Sequence, residues 1–131
     1  MDQATRELVR QRAGNRCEYC GLHQNDLPFL RFHTEHIIAR QHGGGDYDSN
    51  LALACNHCNL HKGPNLSAIV PQTRQVVQLF HPRQQQWTEH FVQDDIYIVG
   101  LTPVGRATVQ LLKMNDLSQL ELRSQVTPQQ H

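Results

Sequence analysis

Two Cys-x-x-Cys pairs, Cys17/Cys20 and Cys55/Cys58, constrain this chain more than any other feature. A spacing of two lets both thiolates of a pair approach one ion from a single turn. Two such turns complete the tetrahedral shell that Zn²⁺ favours, at about 2.3 Å per sulfur. Four thiolates leave no open coordination position, so such an ion is structural and its binding free energy becomes folding free energy. The chain has 131 residues, of which 38% are hydrophobic and 6% aromatic. A core of that size gains from a staple. The alternatives are two redox motifs or four unrelated buried thiols. Redox use calls for a thioredoxin-like βαβ context, which the sequence does not offer.

Charge gives no support for a nucleic-acid partner, because 12 Lys and Arg balance 12 Asp and Glu, whereas a DNA-binding domain is usually basic. The distribution is uneven, however, and local patches do the steering. Arg6, Arg10, Arg12 and Arg16 face only Asp2 and Glu7 in the first sixteen residues. They read as a solvated helix face or as a strip that tracks phosphates. No apolar run approaches the roughly 18–20 residues that span a bilayer, so no membrane partner is expected. The opening MDQATRELVRQ lacks the apolar stretch of a secretory signal. A cytoplasmic location follows as an expectation, and there paired cysteines hold metal more readily than they form disulfides.

Residues 3–13 predict a helix with Leu8 and Val9 inward, ended by Gly14 and Asn15. Leu27 to Ile38 has strand character, and 41–50 (QHGGGDYDSN) is a loop. A short strand over Leu51–Ala54 and one or two helical turns over Cys55–Lys62 follow, closed by Gly63 and Pro64. Residues 1–66 thus form one unit, an N-terminal helix plus the cysteine-bearing core. Residues 67–131 read as an extension packed on it, not independent of it. There, Trp87 and Phe91 lie four apart as core packing, and Ile96–Leu101 alternates like a strand. Thr102-Pro103 opens a helix with Leu111, Leu112 and Met114 on its apolar side. Asp116 caps a last helix with Leu117, Leu120 and Leu122 buried, and the final VTPQQH frays. One strand pair and two helices are therefore expected after residue 66.

The segment between the cysteine pairs carries the chemistry. It reads Glu35-His36-Ile37-Ile38, Gly43-Gly44, Asn50-Leu51, Cys55-Asn-His-Cys58-Asn59 and Lys62. A carboxylate beside a histidine at a strand end suits a metal ligand next to a general base. Asn59 directly follows the last thiolate, so one ion would lock the scaffold while the scaffold presents a second site. Over residues 17–63 the segment resembles the HNH endonuclease family in its four-cysteine zinc-knuckle form. The cysteine pairs, Glu-His, Gly-Gly, Asn-Leu and Cys-x-x-Cys-Asn stand in that family's order and spacing.

The resemblance implies an α+β protein with a zinc-stapled ββα-metal (His-Me finger) core and a C-terminal α/β extension. It implies hydrolysis of nucleic-acid phosphodiester bonds, DNA being the expected substrate, leaving 5′-phosphate and 3′-hydroxyl ends. His36 would be the general base, with an unperturbed pKa near working pH. Asn50 would brace the loop that orients it. Glu35 and Asn59 would hold one divalent cation, Mg²⁺ or Mn²⁺, since two protein oxygens plus waters suit such an ion. Two departures stand out. Asn59 occupies a position where many members have histidine, and Glu35 one where aspartate is commoner; the harder amide ligand favours Mg²⁺ or Mn²⁺ over a second zinc.

Lys62 and Arg40 are candidate phosphate contacts, each weighed against a solvated surface position. His33 could support the metal site or be an exposed polar residue. His57 and His61 should point away from the Asn59 face; His42, His81 and His90 read as surface or core-edge residues. The competing function is a non-catalytic, zinc-stabilised nucleic-acid-binding module; a structural or redox zinc protein is a third. So small a core offers little DNA-reading surface, so a homodimer or partner subunit is plausible.

Overall fold

The first helix, α1 (Gln3–Arg12), is capped by the Asp2 carboxylate, which accepts from the Thr5 amide at 2.8 Å. The computed structural model describes residues 1–126, so most of the fraying expected of the last six residues lies outside the described chain. Val9 is fully buried, but Leu8, expected beside it, is 43% exposed. Successive helical positions stand about 100° apart, and so narrow a contact accepts only one of them. Gly14 and Asn15 stop the helix in left-handed conformations, φ 63° and 59°. The arginines are more structural than expected. Arg12 donates to the carbonyls of Asp48 and Leu51 at 3.0 and 2.8 Å, and Arg16 to that of Gly21 at 3.0 Å. The Arg12 guanidinium docks α1 on the segment that follows, and that of Arg16 braces the first cysteine turn.

Strand character expected over Leu27 to Ile38 is confined to β1 (His33–His36). A 3-10 turn at Gln24–Asp26 precedes it, and Phe29 is almost wholly exposed. The Gln24 side chain explains the difference. It accepts from the Phe32 amide at 2.7 Å and donates to the carbonyls of Leu27 and Leu30 at 3.0 and 2.9 Å. A polar hub of that kind closes a loop, and hydrophobic alternation does not reveal it. β1 pairs antiparallel with β2 (Leu51–Ala54), His33 opposite Ala54 and His36 opposite Leu51. Every residue of β2 is buried, and α2 (Asn56–Lys62) follows one residue later.

Beyond residue 66 there are two antiparallel hairpins rather than one. β3 (Ser67–Ile69) pairs with β4 (Val76–Gln78), and β5 (Phe91–Asp94) with β6 (Tyr97–Gly100). Strands of three mostly exposed residues carry too few positions for alternation to register. A single turn, α3 (Trp87–His90), leads into β5. Helix α4 (Pro103–Leu111) starts as expected, with the Thr102 hydroxyl accepting from the Gly105 amide at 3.0 Å. Gly105 lets α4 lie on the hairpin, since a Cβ there would stand 2.0 Å from the His90 carbonyl oxygen. Leu112 and Met114 are fully buried. In α5 (Leu117–Gln125) the expected face is rotated: Leu117 is 72% exposed and Gln119 is buried, while Leu122 is half-buried against the core.

These elements make a mixed α/β molecule whose core runs through both parts of the chain. Val9, Tyr19, Phe32, Leu51 and Leu53 join Phe80, Phe91, Ile98, Leu112 and Met114 in one cluster. Phe80 meets Phe91 edge-on at 5.1 Å, and Trp87 stacks on Phe91 at 5.2 Å. The Trp87 indole N–H also donates to the Tyr19 carbonyl at 2.7 Å, so the later segment grips the first cysteine turn directly. Among the described residues no helix is long and apolar enough to cross a membrane.

Candidate active site

The four cysteines converge although 35 residues separate the pairs. All four are buried, and their sulfur atoms lie within 4.8 Å of one another. Cys20 Sγ and Cys55 Sγ are 3.8 Å apart. Four sulfurs about 2.3 Å from a central ion form a tetrahedron with edges of about 3.8 Å, so this pair already has the required separation. Each pair sits in a turn whose first sulfur accepts from the amide of the second cysteine, Cys20 N to Cys17 Sγ at 3.5 Å and Cys58 N to Cys55 Sγ at 3.4 Å. The turns are joined by the chain, because the Glu18 amide donates to the Leu53 carbonyl at 2.8 Å and the Glu18 carboxylate accepts from the Leu53 amide at 2.8 Å. Hydrogen bonds from the neighbouring thiols pull the Cys55 thiol far down, while those same contacts and burial push Cys20 and Cys58 up. Four buried sulfurs shed their protons together only around a cation, which inverts that balance. The donor set therefore fits structural zinc.

β1 ends at His36, and the chain leaves it through a glycine-rich loop that returns at Asn50. The Asn50 amide ties the loop's two ends together. Its Oδ1 accepts from the Ile38 amide at 2.9 Å, and its Nδ2 donates to the carbonyls of Ile38 and Gly45 at 3.0 and 2.9 Å. The crossing is so close that a Cβ on Gly44 would lie 1.7 Å from the Ile38 carbonyl oxygen; only glycine fits there.

That loop brings Asp46 to His36. Nε2 of His36 and Oδ1 of Asp46 are 2.7 Å apart, and Arg40 Nη2 donates to both oxygens of the same carboxylate at 2.9 and 3.2 Å. The His36 hydrogen bond above all, with help from the Arg40 charge, holds the Asp46 carboxyl below the usual carboxylate range. An anionic Asp46 can only accept, so Nε2 of His36 carries a proton, and in the neutral ring the lone pair lies on Nδ1. Asp46 escapes a reading of the sequence, where nothing separates it from Asp48 in the same loop; only the fold selects it. Arg40 is engaged with Asp46 while its side chain stays 67% exposed.

Strand alternation sends Glu35 the other way. Its carboxylate lies 6% exposed, accepts from the Tyr19 hydroxyl and stands 3.2 Å from Lys62 Nζ. Lys62 is not at a solvated helix end: it is 1% exposed, with its ammonium also donating to the carbonyls of Ile37 at 2.9 Å and His36 at 3.3 Å. Burial raises the Glu35 pKa, against the opposing pull of the Lys62 charge and the Tyr19 hydrogen bond. Removing one partner from so dry a pair leaves a charge uncompensated. Lys62→Ala is expected to destabilise the protein by about 3–5 kcal/mol, measured by urea unfolding, and Lys62→Met combined with Glu35→Gln to recover most of that loss. A loss below about 1 kcal/mol for Lys62→Ala would show that the pair is solvated.

Glu35, His36 and Asn59 nonetheless line one open cavity, about 440 Å³ in volume, with His33, Thr34 and Arg40 at its edges. Asn50 supports it from behind the loop. Among the described residues the Asn59 side chain makes no hydrogen bond. The donor set fits a hard divalent cation: one amide oxygen is free, and each Glu35 oxygen retains acceptor capacity beyond its single partner. His33 is exposed at the edge of that cavity, with Nε2 3.0 Å from the Asn56 amide nitrogen.

A buried four-thiol cluster that could hold a metal thus stands close to a loop-braced histidine and an open cavity lined by Glu35 and Asn59. Residues 17–65 match the family model for HNH endonuclease, less than half of the chain but all of the site just described, and the buried cysteines agree with the family's zinc-knuckle form. The nucleases of that family act on nucleic acid with a divalent metal. No curated protein and no solved structure matches the chain.

Proposed function

We propose that this protein is a metal-dependent endonuclease that hydrolyses phosphodiester bonds of DNA on a zinc-stapled ββα-metal core. The order β1, β2, α2, with the thiol cluster at the base of α2, supports that reading of the core. The observation that carries the activity is the 2.7 Å contact between His36 and Asp46 on the Asn50-braced loop, at the mouth of the cavity shared with Glu35 and Asn59. His36 accepts a proton from water at Nδ1. Asp46 holds the Nε2–H, fixes the tautomer and stabilises the imidazolium that forms, as carboxylates do beside catalytic histidines. Asn50 keeps the loop, and with it Asp46, in register with the strand. Glu35 and Asn59 would hold a Mg²⁺ or Mn²⁺ ion, which supplies polarisation of the scissile phosphate and charge neutralisation at the leaving oxygen. Lys62 acts from below by fixing the Glu35 carboxylate.

Supercoiled plasmid incubated with the zinc-loaded protein is expected to be nicked or linearised with Mg²⁺ or Mn²⁺ and left intact with EDTA. Asp46→Asn should lower the cleavage rate about 10²-fold, within the range for impaired acid–base catalysis, with folding unchanged because the residue is exposed. DNA retarded on a gel without cleavage under any divalent metal would overturn the enzyme in favour of a binding module.

A further inference from the structure

A second group of ligand atoms stands on the other side of α2. His57 and His61 lie four residues apart and so share one helix face, with ring centroids 4.4 Å apart. Asp116, at the start of α5, completes the group: one ring nitrogen from each histidine and one Asp116 oxygen all lie within 4.8 Å of one another. Two further observations point to a ligand. The first is the His57 Nε2, 2.8 Å from the Lys113 carbonyl oxygen. A carbonyl only accepts, so Nε2 carries the proton, the tautomer is fixed and the lone pair is left on Nδ1. Metal-bound histidines are held in that way, through the ring nitrogen that does not touch the ion. The second is Asp116. It occupies the cap position of α5, yet its side chain makes no capping hydrogen bond, although aspartate is among the residues that usually make one.

We infer that His57, His61 and Asp116 form a binding site for a borderline-soft divalent ion, Zn²⁺ above all. Two imidazoles and a carboxylate select Zn²⁺, Ni²⁺ or Cu²⁺ over Mg²⁺. Tetrahedral bonds of about 2.0–2.2 Å require ligand atoms about 3.3–3.6 Å apart, so the ion draws the three side chains together by about an ångström. Three protein ligands leave one position for water. The ion ties the helix that bears Cys58 and Asn59 to the segment that joins α4 to α5. It is separate from the thiol cluster and exchangeable, because Asp116 is exposed and both histidines are only half-buried. The inference does not depend on nuclease activity.

The test is Zn²⁺ binding by the full-length protein with its four-thiol site already filled, read by calorimetry and by thermal denaturation. One additional equivalent is expected, with a rise in Tm on addition of Zn²⁺. His61→Ala and Asp116→Asn should each weaken that equivalent at least tenfold and abolish the Tm rise, while His36→Ala leaves both intact. The thiolate-bound zinc, counted by mass spectrometry, reports whether each variant is folded, and Asp116→Asn at an exposed position preserves the fold. An additional equivalent that survives both variants unchanged, or none in the parent protein, would overturn the site.

Discussion

Replacing Cys58 with serine is expected to leave the chain unfolded at 25 °C, and stripping the thiolate-bound ion with a strong chelator to do the same reversibly. The expectation rests on magnitudes. Structural zinc contributes about 10–16 kcal/mol of apparent binding free energy at neutral pH, whereas a whole domain is stable by about 5–15 kcal/mol. No other single contact here is of that size. The loss would spread, because Cys58 is fully buried and its partners Cys17 and Cys20 flank the turn that Trp87 and Glu18 connect to the rest of the molecule. Far-UV circular dichroism before and after chelation, and after zinc is restored, measures it. A weak chelator separates this ion from one at His57, His61 and Asp116, since the exposed site empties first and the fold survives. Cooperative melting of Cys58→Ser within a few degrees of the parent protein would show that the sulfurs are ordinary core thiols.

What the sequence made legible follows from how local each signal is. The cysteine pairs, Thr102-Pro103 and the stretch Leu51–Ala54 act within a few residues of themselves, and the thiols, α4 and β2 stand where the spacing put them. Asn50 is singled out by the family resemblance alone, and its side-chain hydrogen bonds do close a loop of near neighbours. Other features depend on which segments meet. Asp46 matters only because the loop folds back on β1. Lys62 turns inward because Glu35 and two strand carbonyls wait beneath it, an environment that helical spacing cannot reveal. The apolar face of α5 was misplaced for the same reason. Leu117 and Gln119 exchange their expected places according to what the helix packs against, and nine residues with a weak apolar stripe do not decide that alone. His57 and His61 were legible as a pair on one face, but their third partner, Asp116, lies 55 residues beyond His61.

His36→Ala is expected to lower metal-dependent plasmid cleavage by about 10²–10⁴-fold, the usual contribution of a positioned general base, while zinc content and melting temperature remain those of the parent protein. The two halves of that prediction have separate causes. Activity falls because the lone pair at Nδ1 is removed, and neither Asp46 nor Arg40 can replace it: even without the His36 hydrogen bond that lowers it, Asp46 is a carboxylate beside the Arg40 charge and far less basic than imidazole, and an arginine stays protonated. The fold holds because Asp46 is the one hydrogen-bond partner of the His36 ring among the described residues, and Arg40 still holds Asp46 when the ring is gone. His36→Asn is the sharper companion. It preserves much of the polarity and hydrogen-bonding capacity toward Asp46 but offers no basic nitrogen, so it should be nearly as inactive as alanine. Asn59→Ala differs in kind: the loss of one cation ligand should raise the Mg²⁺ concentration needed for half-maximal cleavage, and excess metal should restore part of the rate. Excess metal should restore nothing to His36→Ala. Equal cleavage by the parent and His36→Ala would assign the proton transfer to another group and remove His36 from the chemistry.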